Sequence, residues 1–409
     1  LMLDTKGPEI RIYKFKEDKI LLKDGDIYTF DTSEELGDQN RIGVNYKDLY
    51  KYVKIGNKLL MDDGKVTLEV IDIDHMNIVC KVIHGGVISN NKSISIPNLS
   101  IPIEYISKKD KEDILFGIKE QIDYIAISFT RCKEDVLSIR KLLDENGGEK
   151  IKIISKIENH EGIHNLDDII SVSDGIMVAR GDLGVETSFK EIPKLQKEMI
   201  AKCNKSGKIV VTATQMLESM ITSSVPTRAE VSDVANAVYD KTSAVMLSGE
   251  TAMGSFPIEA CKVMSEIVEE IDESLDYRID LRNNGALLDK NILNATCLAA
   301  CTSATYLNAK AIVVVTYSSN TANLIADFRP GCPIIAAVVD ETGLRQANLR
   351  WGVFPFKAGV KETTEELVTL AKQVATDSKI VKKDDTVIIV LGTDLGKGKQ
   401  NNEIIVCKL

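Results

Sequence analysis

From residue 124 to residue 250 the chain alternates short apolar runs with longer amphipathic stretches. The runs at 124–127, 151–158, 175–179, 209–212 and 244–247 are strand-length and predict buried parallel strands. Between them lie helical stripes. Ile163, Leu166, Ile169 and Ile170 predict one amphipathic helix after the second run, and Val231, Val234, Ala235 and Val238 predict another. Ser107 with Asp110 and Thr227 with Glu230 read as capping boxes, and Pro257 suits the first turn of a helix whose stripe is Met264, Ile267, Val268 and Ile271. This alternation predicts an α/β fold of the TIM (β/α)8 barrel type.

The pattern changes at residues 12–97, where alternating runs at 66–73 and 78–83 and turns at Asp62-Asp63-Gly64 and His84-Gly85-Gly86 predict an inserted small β-barrel or sandwich. Pro97 and Pro102 bracket the return to the barrel. A charged connector at 276–288 precedes a second α/β pattern: a helix through 298–307, strand 311–315, loop 316–321, a helix to 328, strand 333–339, a helix from 362, strand 386–391 and a last strand 404–407. That pattern predicts a C-terminal open-sheet domain. The expected domains are 1–11 with 98–275 (barrel), 12–97 (lid) and 276–409. With the run Leu1-Met2-Leu3 the barrel pattern supplies six strands, two short of closure. The reading therefore places N-terminal strands upstream of Leu1 and expects this chain alone to be inactive or poorly folded.

Composition narrows the function. A net charge of −10 argues against nucleic acid or an anionic membrane as partner. No apolar run reaches the roughly 18–20 residues of a membrane helix, and no signal peptide is read. Eight scattered cysteines without a CxxC pair predict reduced thiols and a cytoplasmic protein.

The apolar runs share one further property, since each ends in residues able to do chemistry. In a parallel barrel the carboxyl ends of all strands lie on one face, so distant residues converge. Lys156 and Glu158 end one strand, and Asp182, Thr214, Ser248 and Glu250 follow others. A single loop carboxylate is ordinarily solvated or capping. Glu158 and Asp182 beside a strand-end lysine instead suit Mg²⁺ or Mn²⁺. Lys156 would place positive charge where a phosphoryl group sheds negative charge, although a lysine there also serves as a plain ion-pair partner. Thr214 could relay a proton, or be a strand-end hydroxyl satisfied by backbone. The four histidines show no metal-ligand spacing, and His160 reads as part of a helix start. These residues alone fit a kinase, a metal-dependent lyase or aldolase acting on pyruvate-like enolates, or a non-catalytic metabolite sensor.

The segments SKIENHEG (155–162), MVARGDLG (177–184), TATQMLESM (212–220), PTRAEVSDVANAV (226–238), MLSGETA (246–252) and LDTKGPEIR (3–11) together resemble pyruvate kinase, in that family's order and over essentially the whole chain. The resemblance implies phosphoryl transfer from phosphoenolpyruvate to ADP, giving pyruvate and ATP. It assigns Lys156 to the transferring phosphoryl group, Glu158 and Asp182 to the divalent metal, and Lys156, Gly181, Asp182 and Thr214 to substrate. Thr214 and Ser248 are similar to active-site hydroxyls and Glu250 to a member of the proton-relay network. Asp4 and Thr5 resemble ligands of K⁺, and Glu9 the glutamate that accompanies K⁺ dependence. Arg11, Lys92 and Asp63 resemble the nucleotide-side contributions of hinge and lid. Thr316, Ser318, Ser319, Asn320 and Thr321 resemble the loop that binds a phosphorylated allosteric effector, with 392–399 as its partner loop, in a regulatory domain of a homotetramer. Where the family has Asp-Gly-Thr-Asp, this chain has Asp240-Lys241-Thr242-Ser243, and Pro97-Asn98 replaces Pro-Gly. Lys241 and Asn98 thus stand where a glycine's backbone freedom is expected.

Overall fold

The computed structural model describes residues 1–97, 99, 101–278, 281, 291–361, 363–392 and 402–409. Asn98, the predicted helix start at 362, the loop segment 393–399 and most of the connector 276–288 lie outside these residues.

Six parallel strands, Met2–Asp4, Tyr124–Ile127, Lys152–Ile157, Gly175–Ala179, Ile209–Ala213 and Ala244–Val245, are hydrogen-bonded in chain order into one sheet. Strand alternation divides their side chains. Ile125, Ile127, Ile153, Ile157, Ile176, Val178 and Val210 pack under the helices, whereas Tyr124, Ala126, Ile154, Met177, Ile209, Val211 and Ala213 form an inner cluster joined by Met2 and Met246. The last strand is shorter than its apolar run, although Met246 N–H still donates to Thr212 O at 3.0 Å.

Two helical expectations change. The stripe 163–170 forms two helices, His160–His164 and Leu166–Val172, broken at Asn165, whose side chain donates to Arg131 O at 2.8 Å. Asn159 caps the first of them, accepting from Gly162 N–H at 2.7 Å. Ser107 caps Lys108–Lys119 as expected, but the Asp110 carboxylate accepts from the Lys6 amide (2.9 Å) and the Ser107 hydroxyl (2.6 Å). It therefore ties that helix to the first strand's loop. Thr227 and Glu230 form the full capping box at the start of Arg228–Tyr239.

The inserted segment folds on its own core of Tyr28, Phe30, Leu59, Leu68 and Ile78. A six-stranded sheet is its body, and Lys19–Leu22 pairs with Gly86–Ser89 beside it. Its two chain crossings run side by side: Ile94 N–H donates to Ile10 O (2.8 Å) and Ile12 N–H to Lys92 O (3.0 Å). The exit from the first strand turns at Gly7, where φ is +74° and a Cβ would meet Ser128 O at 2.9 Å, so a side chain is excluded twice over.

In the C-terminal sheet the order is Val353–Lys357, Ile334–Val338, Ala311–Thr316, Thr386–Leu391 and Glu403–Lys408, the last antiparallel. The open sheet agrees with expectation, but the edge strand Val353–Lys357 and the helix Glu341–Ala347 were not predicted. Pro355 interrupts the strand pattern and is tolerated because the strand pairs on one side only. This domain docks at the amino ends of the barrel strands. Tyr124 Oη donates to Gln346 O (2.7 Å), Gln346 Nε2 donates to Asp123 O (3.0 Å) and Lys150 O (2.8 Å), and Leu349 packs on the inner barrel cluster. Among the described residues no helix is long and apolar enough to cross a membrane. All eight cysteines are free thiols.

Candidate active site

Alternation that puts Met2, Ala126 and Ile154 on the inner face carries Asp4, Ser128, Lys156 and Glu158 to the same face at the strands' carboxyl ends. There they form one polar cluster. Lys156 Nζ lies 2.8 Å from Ser128 Oγ, 3.2 Å from Asp4 Oδ1 and 3.1 Å from Glu158 Oε1. Burial works against the Lys156 ammonium, but Glu158 and Asp4 more than offset it and hold its pKa above the ordinary lysine value.

Glu158 is 1% exposed. Its Oε2 accepts from Phe129 N–H at 2.7 Å, while Oε1 faces the Lys156 ammonium and, among the described residues, accepts no other hydrogen bond. Burial pushes the carboxyl up to about 7, against the pull of Lys156 and with the push of Asp182. Asp182, in the first turn of Arg180–Glu186, is likewise raised, by burial first, with Lys156 opposing and Asp63 of the insert adding to it. A buried carboxylate at Glu158 and an exposed one at Asp182, opening on the same face, fit a divalent cation. Among the described residues no third His, Cys, Asp or Glu completes a metal cluster, so a bound ion would take its other oxygens from substrate and water. Asp4, Thr5 and Ser128 gather further hard oxygens: Ser128 Oγ donates to Thr5 O (2.7 Å), and Ser128 N–H to Thr5 Oγ1 (3.1 Å).

Thr214 follows the strand Ile209–Ala213 with φ +65°, and Gln215 follows with φ +55°. Such values are rare for a β-branched residue and store strain. The Thr214 hydroxyl accepts from Gly181 N–H (2.8 Å) and donates to Ala213 O (2.6 Å). Glu250 is fully buried, with Oε1 accepting from Leu217 N–H (3.0 Å) and Oε2 from Ser248 N–H (2.7 Å). The structure thereby makes Glu250 a clamp joining the two loops that follow the last two strands.

On the insert's stem Arg11 pairs with Glu9, Nη2 to Oε2 at 2.6 Å, and Lys92 pairs with Asp62. Asp63, at φ +56°, is near enough to raise both Asp182 and Glu218, so the insert's turn overhangs the barrel mouth. Between stem and barrel a cleft of about 110 Å³ is lined by Glu9, Ser95, Phe129, Arg131, Asp182 and Glu186. In the C-terminal domain, Thr316, Ser319 and Thr321 are buried where the helix Asn320–Asp327 begins, and Asn323 Oδ1 is buried with no hydrogen-bond partner among the described residues. Sequence reasoning places Ser128 and Arg180 at strand ends but gives them no role in the site. Counting strand parity one step beyond Ala126 would have found the first.

The family profile for the pyruvate kinase barrel domain matches residues 1–261, and that for the pyruvate kinase alpha/beta domain matches residues 294–407. Relatives named pyruvate kinase include one from Clostridium acetobutylicum, 46% identical over 96% of this chain and 83% of its own length. Another from Clostridium perfringens is 43% identical with the same coverage, and one from Geobacillus stearothermophilus is 44% identical over 98% of this chain and 69% of its own length. The chain belongs to the pyruvate kinase family.

Proposed function

We propose that the carboxyl ends of the barrel strands are the site at which this chain moves a phosphoryl group from phosphoenolpyruvate to ADP. The observation that carries the reading is the convergence of Lys156 with Glu158, 3.1 Å apart, beside Asp182 on one barrel face. Phosphoryl transfer asks for positioning and charge neutralisation more than covalent chemistry, and this cluster supplies both. Family membership carries the general metal dependence. Glu158 and Asp182 would hold Mg²⁺ or Mn²⁺, which when bound neutralises phosphate and enolate oxygens. Asp4 and Thr5 are the oxygen donors suited to K⁺.

Lys156 offers its ammonium to the phosphoryl oxygens as the bond to the enol oxygen breaks and the bond to the ADP oxygen forms. Ser128 and Asp4 fix where that ammonium points. Thr214 offers its hydroxyl near the enolate carbon that must gain a proton to become the pyruvate methyl group, with Ser248 and Glu250 holding the adjoining loop. Lys92 and Asp63 on the insert, with Arg11 on its stem, face the nucleotide side and exclude water when the lid closes. The 316–321 loop, with its buried hydroxyls and the buried Asn323 oxygen, is read as the seat of a phosphorylated effector. A homotetramer follows from the resemblance alone, and sedimentation would test it.

A lactate dehydrogenase-coupled assay tests the central reading. Turnover should require phosphoenolpyruvate, ADP and a divalent cation together. Aldol cleavage without ADP would support the lyase alternative, and tight ligand binding without turnover the non-catalytic one.

A further inference from the structure

We infer that Arg180 is a positioning residue for proton transfer, setting the strained backbone that presents the Thr214 hydroxyl. The inference rests on the proposed role of Thr214 and assigns the machinery that holds it. Arg180 is the first residue of the helix that carries Gly181 and Asp182, and it is 8% exposed. Its guanidinium turns away from the cluster of Lys156 and into the loop after the next strand. Nη2 donates to Thr214 O at 2.7 Å, and Nε to Thr214 O at 3.2 Å and Ala213 O at 3.3 Å. Nη1 donates to Asp233 Oδ2 at 2.5 Å on the following helix, and Nη2 also meets Met216 Sδ at 2.8 Å.

Two consecutive non-glycine residues in the left-handed region, the first β-branched, are strained and persist only if their surroundings over-determine them. Arg180 is that surrounding. Its planar fork takes the carbonyl of Thr214 while the amide of the neighbouring residue, Gly181, takes the hydroxyl of the same threonine at 2.8 Å. Thr214 is thereby gripped at two atoms from one helix start, and that helix also carries Asp182. The arrangement fixes the distance between metal-side carboxylate and hydroxyl independently of substrate. Asp233, whose side chain is 37% exposed, anchors the guanidinium from outside the site. Lysine could keep the charge but cannot reach Thr214 O, Ala213 O and Asp233 in one plane.

Arg180→Lys should lower turnover and the exchange of pyruvate methyl protons with deuterated solvent together, by roughly ten- to a hundredfold, the size expected for losing charge-assisted hydrogen bonds. KM for phosphoenolpyruvate and affinity for Mn²⁺ should stay within about threefold, a split that general loosening would not give. Unchanged exchange in a folded Arg180→Lys protein would overturn the inference, as would a rise in KM with exchange intact. Should that variant fail to fold, Asp233→Asn takes its place, with a smaller loss of exchange expected and no loss contradicting it. Thr214→Val separates the two layers. If it abolishes exchange while Arg180→Lys does not, the Thr214 reading stands and the Arg180 inference falls. If Thr214→Val keeps exchange, both fall.

Discussion

Lys156 and Glu158 stand two residues apart at one strand end, with the ammonium 3.1 Å from the carboxylate oxygen that, among the described residues, accepts no other hydrogen bond. The spacing of two is what puts both on the inner face. A lysine facing a single carboxylate would be a plain ion pair. Here the same ammonium also meets Ser128 and Asp4, so its position is set by three strands at once.

Ser128→Ala therefore removes a 2.8 Å hydrogen bond to Lys156 Nζ without adding bulk. Loss of a hydrogen bond to a charged group predicts a fall in kcat of roughly tenfold or more, and loss of the donor to the buried Thr5 carbonyl predicts a lower melting temperature in a still folded protein. Steady-state kinetics beside a thermal melt checks it, and wild-type kcat would remove Ser128 from the account.

Lys241 occupies φ +71°, and its carbonyl accepts from Asn204 Nδ2 (3.1 Å) and Arg329 Nη2 (2.9 Å), which hold the turn open. The left-handed cost for a residue with a Cβ is about 1–2 kcal/mol, partly offset by the looser unfolded chain of glycine. Lys241→Gly should raise stability by about 1 kcal/mol with turnover unchanged, as read from denaturant midpoints. A lower midpoint would show that the lysine side chain contributes more than its backbone costs.

Asp327 lies beside Arg350, Oδ1 to Nη1 at 2.9 Å, where the C-terminal domain meets Gly207 of the barrel. Burial nonetheless raises its carboxyl to about 6, with Arg350 and Arg329 opposing. The folded state thus binds a proton that the unfolded chain releases near pH 4, and this group's contribution to stability falls as pH climbs from about 4 to about 6. Asp327→Asn cannot titrate, so its stability relative to wild type should rise across that window and level off above it. Parallel pH profiles would refute the assignment.

Much of this was legible in the sequence because parallel strands are short apolar runs and their polar ends mark one barrel face. Lys156, Glu158 and Asp182 converge as strand order requires. Other features were not legible. The break at Asn165 depends on its bond to Arg131 O, a tertiary contact that helical periodicity does not carry. Val353–Lys357 contains a proline, and only its edge position makes that a strand. The left-handed backbone at Thr214 and Gln215 follows from the Arg180 fork, and neither residue type signals it.

The most direct test replaces Lys156 by methionine, which keeps length and burial but removes the charge. With saturating phosphoenolpyruvate, ADP and divalent cation, Lys156→Met should lower phosphoryl transfer by about a thousandfold while circular dichroism and Mn²⁺ binding persist. Turnover within about tenfold of wild type would contradict the claim that this strand end is the phosphoryl-transfer centre.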